Sequence, residues 1–142
     1  FKIGICWQGS KSEIDYGRSF PLYYFEDLAS LPNVELINLH KGAGEKQLAG
    51  ISFKVTSLGD EFDGGSDALV DTAAVMSICD LIITSDTVIA HLAGALGRHT
   101  WVLLKSVPDW RWMLETNKTD WYPSVVLYRQ RERGIGIQYL QK

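Results

Sequence analysis

Cysteine is scarce: the 142 residues hold two, Cys6 and Cys79. Neither sits in a C-x-x-C or Cys/His spacing, so neither a disulfide framework nor a structural zinc site is expected. Both lie inside apolar runs, as buried free thiols do, which fits a reducing, cytoplasmic compartment. Long apolar runs are missing too. None approaches the length of a membrane span, and no signal peptide is evident. There is no run of lysine and arginine, and the net charge of −3 is interspersed, which argues against a nucleic-acid binder held by phosphate contacts. No G-x-G-x-x-G or Walker loop follows an early strand, so a dinucleotide oxidoreductase is not expected. Repeats and low-complexity segments are absent. An initiator Met is also absent, and the chain reads as a single domain cut from something longer.

What is present is organised around residues 79–104, CDLIITSDTVIAHLAGALGRHTWVLL. Leu81, Ile82 and Ile83 form a short apolar run, the mark of a strand buried on both faces. Ser85, Asp86 and Thr87 supply helix-start oxygens. Ile89, Leu92, Ala93 and Leu96 then fall at i, i+3, i+4 and i+7, predicting one core-facing stripe. Gly97 ends the helix, and a second buried strand begins at Trp101. Such a strand–helix–strand unit implies a parallel pair and a right-handed crossover. Thr87 and His91 share the other helix face, continued by Gly94 and Ala95. A hydroxyl, an imidazole and first-turn N–H groups at the carboxyl end of a strand suit an anion. They equally suit an ordinary cap beside a surface histidine, and the pattern alone leaves both open.

Around this unit the chain predicts five or six strands in a mostly parallel α/β sheet with helices on both faces. Residues 2–7 form a first strand, and a loop over residues 8–18 follows at the ligand edge. A helix starts at Pro21, with Leu22, Phe25, Leu28 and Ala29 as its stripe. Residues 34–40 form the next strand, ending in Lys41 and glycines. That lysine is either a solvated loop residue or a phosphate contact. Residues 45–50 suggest one helical turn, residues 51–58 a third strand at an edge, and residues 59–67 an acidic loop without calcium-site spacing. A helix begins between Asp67 and Asp71, with Asp71 and Thr72 as caps. Residues 105–124 carry Trp110, Trp112 and Trp121, either as a second small core or as ligand-stacking groups. Arg111 serves cation–π packing or an anion equally well. Residues 125–128 form the last strand, before a polar tail of weak helical character.

Four stretches, IGICWQGS, RSFPLYYFEDLASLPNVELINLHKG, DTAAVMSICDLIITSDTVIAHLAGALG and PDWRWMLETNKTDWYPSVVLYRQ, occur in order over residues 2–131. Together they resemble the C-terminal half of GT-B glycosyltransferases, specifically the heptosyltransferase-like domain that follows tetratricopeptide repeats in many bacterial proteins. The resemblance implies a Rossmann-like, nucleotide-sugar-binding half of an inverting glycosyltransferase. Asp86, Thr87 and His91 match the D-[TS]-G-x-x-H segment that holds the donor diphosphate, with Val88 standing where heptosyltransferases usually have glycine. Lys41 matches a lysine that neutralises phosphate, and Asp71 and Thr72 fall where relatives contact the nucleoside. The loop with Gln8, Gly9 and Arg18 would face the cleft. The resemblance further implies a nucleotide-sugar as substrate, no metal or other cofactor, an N-terminal half carrying acceptor and general base, and repeats as neighbours. No residue here takes the base's role, so the chain alone is expected to bind without catalysing. Two rival readings are a non-catalytic binding module and half of a sugar-nucleotide epimerase.

Overall fold

The computed structural model describes residues 1–10 and 17–130. Residues 11–16 of the first loop and the tail from 131 on lie outside the described residues. The chain runs through β1 (Lys2–Cys6), a 3-10 turn (Leu22–Phe25) leading into α1 (Glu26–Ala29), β2 (Glu35–Asn38) and a 3-10 stretch (Ala43–Gly50). It continues through α2 (Val70–Ile78), β3 (Leu81–Ser85), α3 (Val88–Ala95), β4 (Thr100–Leu104), a 3-10 turn (Trp110–Trp112) and β5 (Val125–Arg129). The five strands form one sheet in the order β2-β1-β3-β4-β5, and every ladder is parallel.

Alternation along the strands sorts the core into two faces. Ile3, Ile5, Leu36, Leu81, Ile83 and Leu103 pack with Phe20, Leu22 and Phe25 on one side. Cys6, Ile37, Leu39 and Ile82 pack against Met76 of α2 and Ile89 and Ala93 of α3. A third cluster joins Ala90, Val102, Leu104, Val125 and Leu127 to Trp112. All five residues of β3 are buried, as a strand covered by helices on both faces requires. The expected fold class therefore holds, with β3 central.

α3 is bounded as its sequence indicates. Thr87 is its N-cap, with Oγ1 accepting from the Ile89 amide at 3.2 Å. At the far end Gly97 has φ 65°, which glycine adopts at no steric cost. Its amide donates to the Gly94 carbonyl and that of Arg98 to the Ala93 carbonyl, at 3.0 and 2.9 Å, a Schellman closure. The stripe stops one residue short of expectation: Leu96, the C-cap, is 46% exposed.

Three further expectations are corrected. Residues 51–58 form no strand; only Thr56 bridges to Ile37. Ile51, Phe53 and Val55 do alternate inward against the core, so the period of two reflects extended chain packing without a ladder. Asp71 and Thr72 are not the caps of α2. That position is Leu69, in the left-handed region at φ 74° and without a side-chain cap. The cap comes instead from Asp63, whose carboxylate accepts from the Asp71 amide at 3.1 Å and from the Thr72 hydroxyl. Of the three tryptophans between β4 and β5, only Trp112 is core; Trp110 and Trp121 are 70% and 58% exposed.

Candidate functional site

The strand order reverses direction between β1 and β3, and doubly wound sheets bind ligands outside the carboxyl ends of the strands near such a point. A crevice of about 550 Å³ opens there, built from three segments. The loop after β1 contributes Arg18, the β3–α3 junction Asp86, Thr87, Val88 and His91, and the loop after β4 Lys105, Val107, Pro108, Asp109 and Arg111. Three cationic side chains thus meet two carboxylates and an imidazole. Asp109 is engaged locally: its Oδ1 takes Arg111 Nη1 at 2.9 Å and the Arg111 amide at 3.1 Å. The Arg111 guanidinium also lies 4.9 Å over the Trp110 ring, so its cation–π role and its place in the crevice coexist.

Arg18 reaches across its own loop, Nη2 donating to the Ser10 carbonyl at 3.3 Å. It can lie there because Gly9 has no side chain: a Cβ would stand 2.8 Å from the guanidinium carbon. Gly9 is held from the other side, its amide donating to Ser19 Oγ at 3.1 Å. Gln8 goes elsewhere, its Oε1 accepting from Gln47 Nε2 at 3.3 Å. Of the three cleft-loop residues expected from sequence, Arg18 alone lines the crevice, supported by Gly9.

The α3 start is less open than its sequence implies. Besides the Ile89 amide on Thr87 Oγ1, the Ala90 amide donates to the Thr87 carbonyl at 3.0 Å. Thr87 Oγ1 also lies 3.2 Å from Thr84 Oγ1 and 3.9 Å from Cys6 Sγ. Val88 presents its side chain outward, 55% exposed. The Ile89 and Ala90 amides are thus already engaged, and an anion at this turn would meet mainly the surrounding side chains. Beneath the cap, Cys6 Sγ is 3.7 Å from Nδ1 of the buried His40. Burial pushes the Cys6 thiol up and the His40 imidazole down, because desolvation penalises each charged form.

His91 is fixed from two sides. Its ring stacks on Trp112, with centroids 5.0 Å apart and planes 21° apart, and Nδ1 is 3.1 Å from the Tyr122 hydroxyl. Tyr122 in turn lies flat against Gly94, where a Cβ would come within 2.8 Å of both Cδ atoms.

Lys41, Asp71 and Thr72 are not brought to this crevice. Lys41 Nζ donates to the carbonyls of Phe62 and, at 3.3 Å, Asp60. Asp71 Oδ2 accepts from the Asp63 amide at 2.9 Å, and Thr72 is buried. These three residues converge on the loop over residues 60–63. Lys105 was missed in sequence, although it directly follows a buried strand at the ligand edge. Tyr122 carried no local signal, and its only trace is a glycine inside α3. Among the described residues no group of three His, Cys, Asp or Glu side chains is placed to hold a metal ion. Among them, too, no helix is long and apolar enough to cross a membrane.

The all-parallel sheet, its strand order and its helical layers define a Rossmann-like α/β domain. The same fold occurs in a GT-B protein, ADP-heptose LPS heptosyltransferase II of E. coli, with a TM-score of 0.67 and 18% identity over 91% of this chain and 38% of that one. At that identity the likeness is one of fold. The chain is also 30% identical over 140 residues to Protein FlbA of Caulobacter vibrioides, spanning 94% of this chain but only 23% of FlbA. No family model matches.

Proposed function

We propose that this domain is the donor-binding half of an inverting glycosyltransferase and holds the diphosphate of a nucleotide-sugar in the crevice at the α3 start. The observation that carries the reading is the convergence of Arg18, Lys105 and Arg111 on His91 and the Thr87 cap, from loops on either side of β3. Three cations suit a ligand with more than one phosphate charge. The fold shared with heptosyltransferase II and the Asp86–Thr87–His91 pattern point the same way. In transfer, an acceptor oxygen attacks the anomeric carbon and the bond to the diphosphate oxygen breaks. The cations and His91 stabilise the charge gathering on the leaving group, while Thr87 holds the turn. The acceptor's proton goes to a base on a second half, with repeats as its neighbours in the longer protein.

Calorimetric titration of nucleoside diphosphates tests the reading. Lys105→Ala and Arg18→Ala should each weaken binding by about tenfold or more, as loss of a charge-assisted hydrogen bond does. Equal affinity in wild type and both variants places the ligand elsewhere. A second reading, a non-catalytic binding module, is favoured by the exposed Val88 side chain at the position where close phosphate approach is wanted. Under it, nucleoside diphosphates bind no better than inorganic sulfate.

A further inference from the structure

His91 has two ring nitrogens, and the structure accounts for one. Nδ1 faces the Tyr122 hydroxyl at 3.1 Å. Nε2 has no partner among the described residues, on a half-buried side chain that lines the crevice. A neutral imidazole carries one donor and one acceptor, and the bond made by one nitrogen decides the state of the other. The Tyr122 hydroxyl is both donor and acceptor, and it has no other described partner for its proton. The pair packs with a third ring, Trp112. Trp112, fully buried, stacks on His91. Tyr122 meets His91 edge-on at 5.8 Å and 65° and stands 6.4 Å from Trp112. Gly94 removes the one side chain that would push Tyr122 away. A turn ties Tyr122 to β5, the Val125 amide donating to its carbonyl at 3.1 Å.

We propose that Tyr122 is a positioning residue: its hydroxyl donates to His91 Nδ1 and fixes the imidazole as an Nε2–H donor for a phosphoryl oxygen in the crevice. With the opposite tautomer, a lone pair would face the ligand's oxygens. The ligand's identity rests on the donor-binding reading, whereas the state of the imidazole does not.

Two measurements test this on the full chain. The first is imidazole nitrogen NMR of the ligand-free protein at about pH 8, above the ordinary histidine titration. His91 should show one tautomer, protonated at Nε2, and Tyr122→Phe should relax it toward a mixture while keeping the ring against Gly94. A mixture or Nδ1–H in wild type, or an unchanged spectrum in Tyr122→Phe, overturns the proposal. The second is a double-mutant cycle read by pyrophosphate affinity. Tyr122→Phe should weaken binding by about 3–10-fold, the range for one neutral hydrogen bond, and have no effect on a His91→Ala background. Equal losses on both backgrounds would mark a merely structural tyrosine and overturn the proposal. If wild type binds no pyrophosphate, the donor-binding reading falls and the tautomer spectrum alone decides on Tyr122.

Discussion

Gly94→Ala offers a test in which two effects of known sign compete. In an open helix the change stabilises by up to about 1 kcal/mol, because alanine loses less backbone entropy than glycine. Gly94 lies near the end of α3, two residues before its C-cap, so the gain falls below that ceiling. Against it stands the Tyr122 ring. The new methyl would sit 2.8 Å from two ring carbons, well inside contact, and the ring is backed by Trp112 and His91. Overpacking of that kind costs about 1–3 kcal/mol. The clash outweighs the propensity, and Gly94→Ala should destabilise by about 0.5–2 kcal/mol in urea unfolding with an unchanged slope. On a Tyr122→Ala background the obstacle is gone, and the same substitution should change sign and stabilise by a few tenths of a kcal/mol. Destabilisation on both backgrounds would refute the assignment of the cost to Tyr122.

Two more expectations concern stability. Burial lowers the folded His40 pKa below its ordinary value, with Glu45 opposing. The unfolded chain therefore takes up the proton first as pH falls, so His40's contribution is present above about pH 6.5 and is lost progressively below it. His40→Gln should flatten that acid limb, and urea midpoints between about pH 7.5 and 5.5 read the difference. Arg129, at the end of β5, donates from Nη2 to the Trp112 and Thr116 carbonyls and from Nε to Thr116 at 3.3 Å. Arg129→Met should cost about 1–3 kcal/mol, given the charge-assisted bonds lost. It should also speed proteolytic cutting within residues 112–116; unchanged cutting would mean the guanidinium does not hold that loop.

Legibility from sequence followed the range of the interaction. The buried β3 run, the Thr87 cap and the Gly97 stop are set within a few residues, and all were readable. Asp63 capping α2 from a loop is not a local pattern, so Asp71 and Thr72 read as caps in sequence while Asp63 performs that role. Lys41 was placed by its strand end, yet its ammonium is captured by carbonyls about twenty residues on. The alternation of Ile51, Phe53 and Val55 is real, but side-chain period cannot say whether a backbone finds a ladder partner. The crevice had to be assembled from three loops. Its β3–α3 part was visible, whereas Lys105 and Tyr122 acquire meaning only when β4 and β5 are laid beside β3.

The engagement of the Ile89 and Ala90 amides by Thr87 bears on how this crevice responds to its surroundings. A nest of backbone N–H groups attracts an anion at contact range, is largely indifferent to the medium, and cannot be edited by substitution. In the proposed site the pull on an anion comes instead from long cationic side chains on separate loops, whose charges dissolved ions reach and screen. Occupancy of the crevice should therefore decline with ionic strength far more steeply than in a backbone-lined phosphate loop. It also leaves the crevice's preference open to evolution, since the loops after β1 and β4 can exchange charges while the buried turn between β3 and α3 stays as it is.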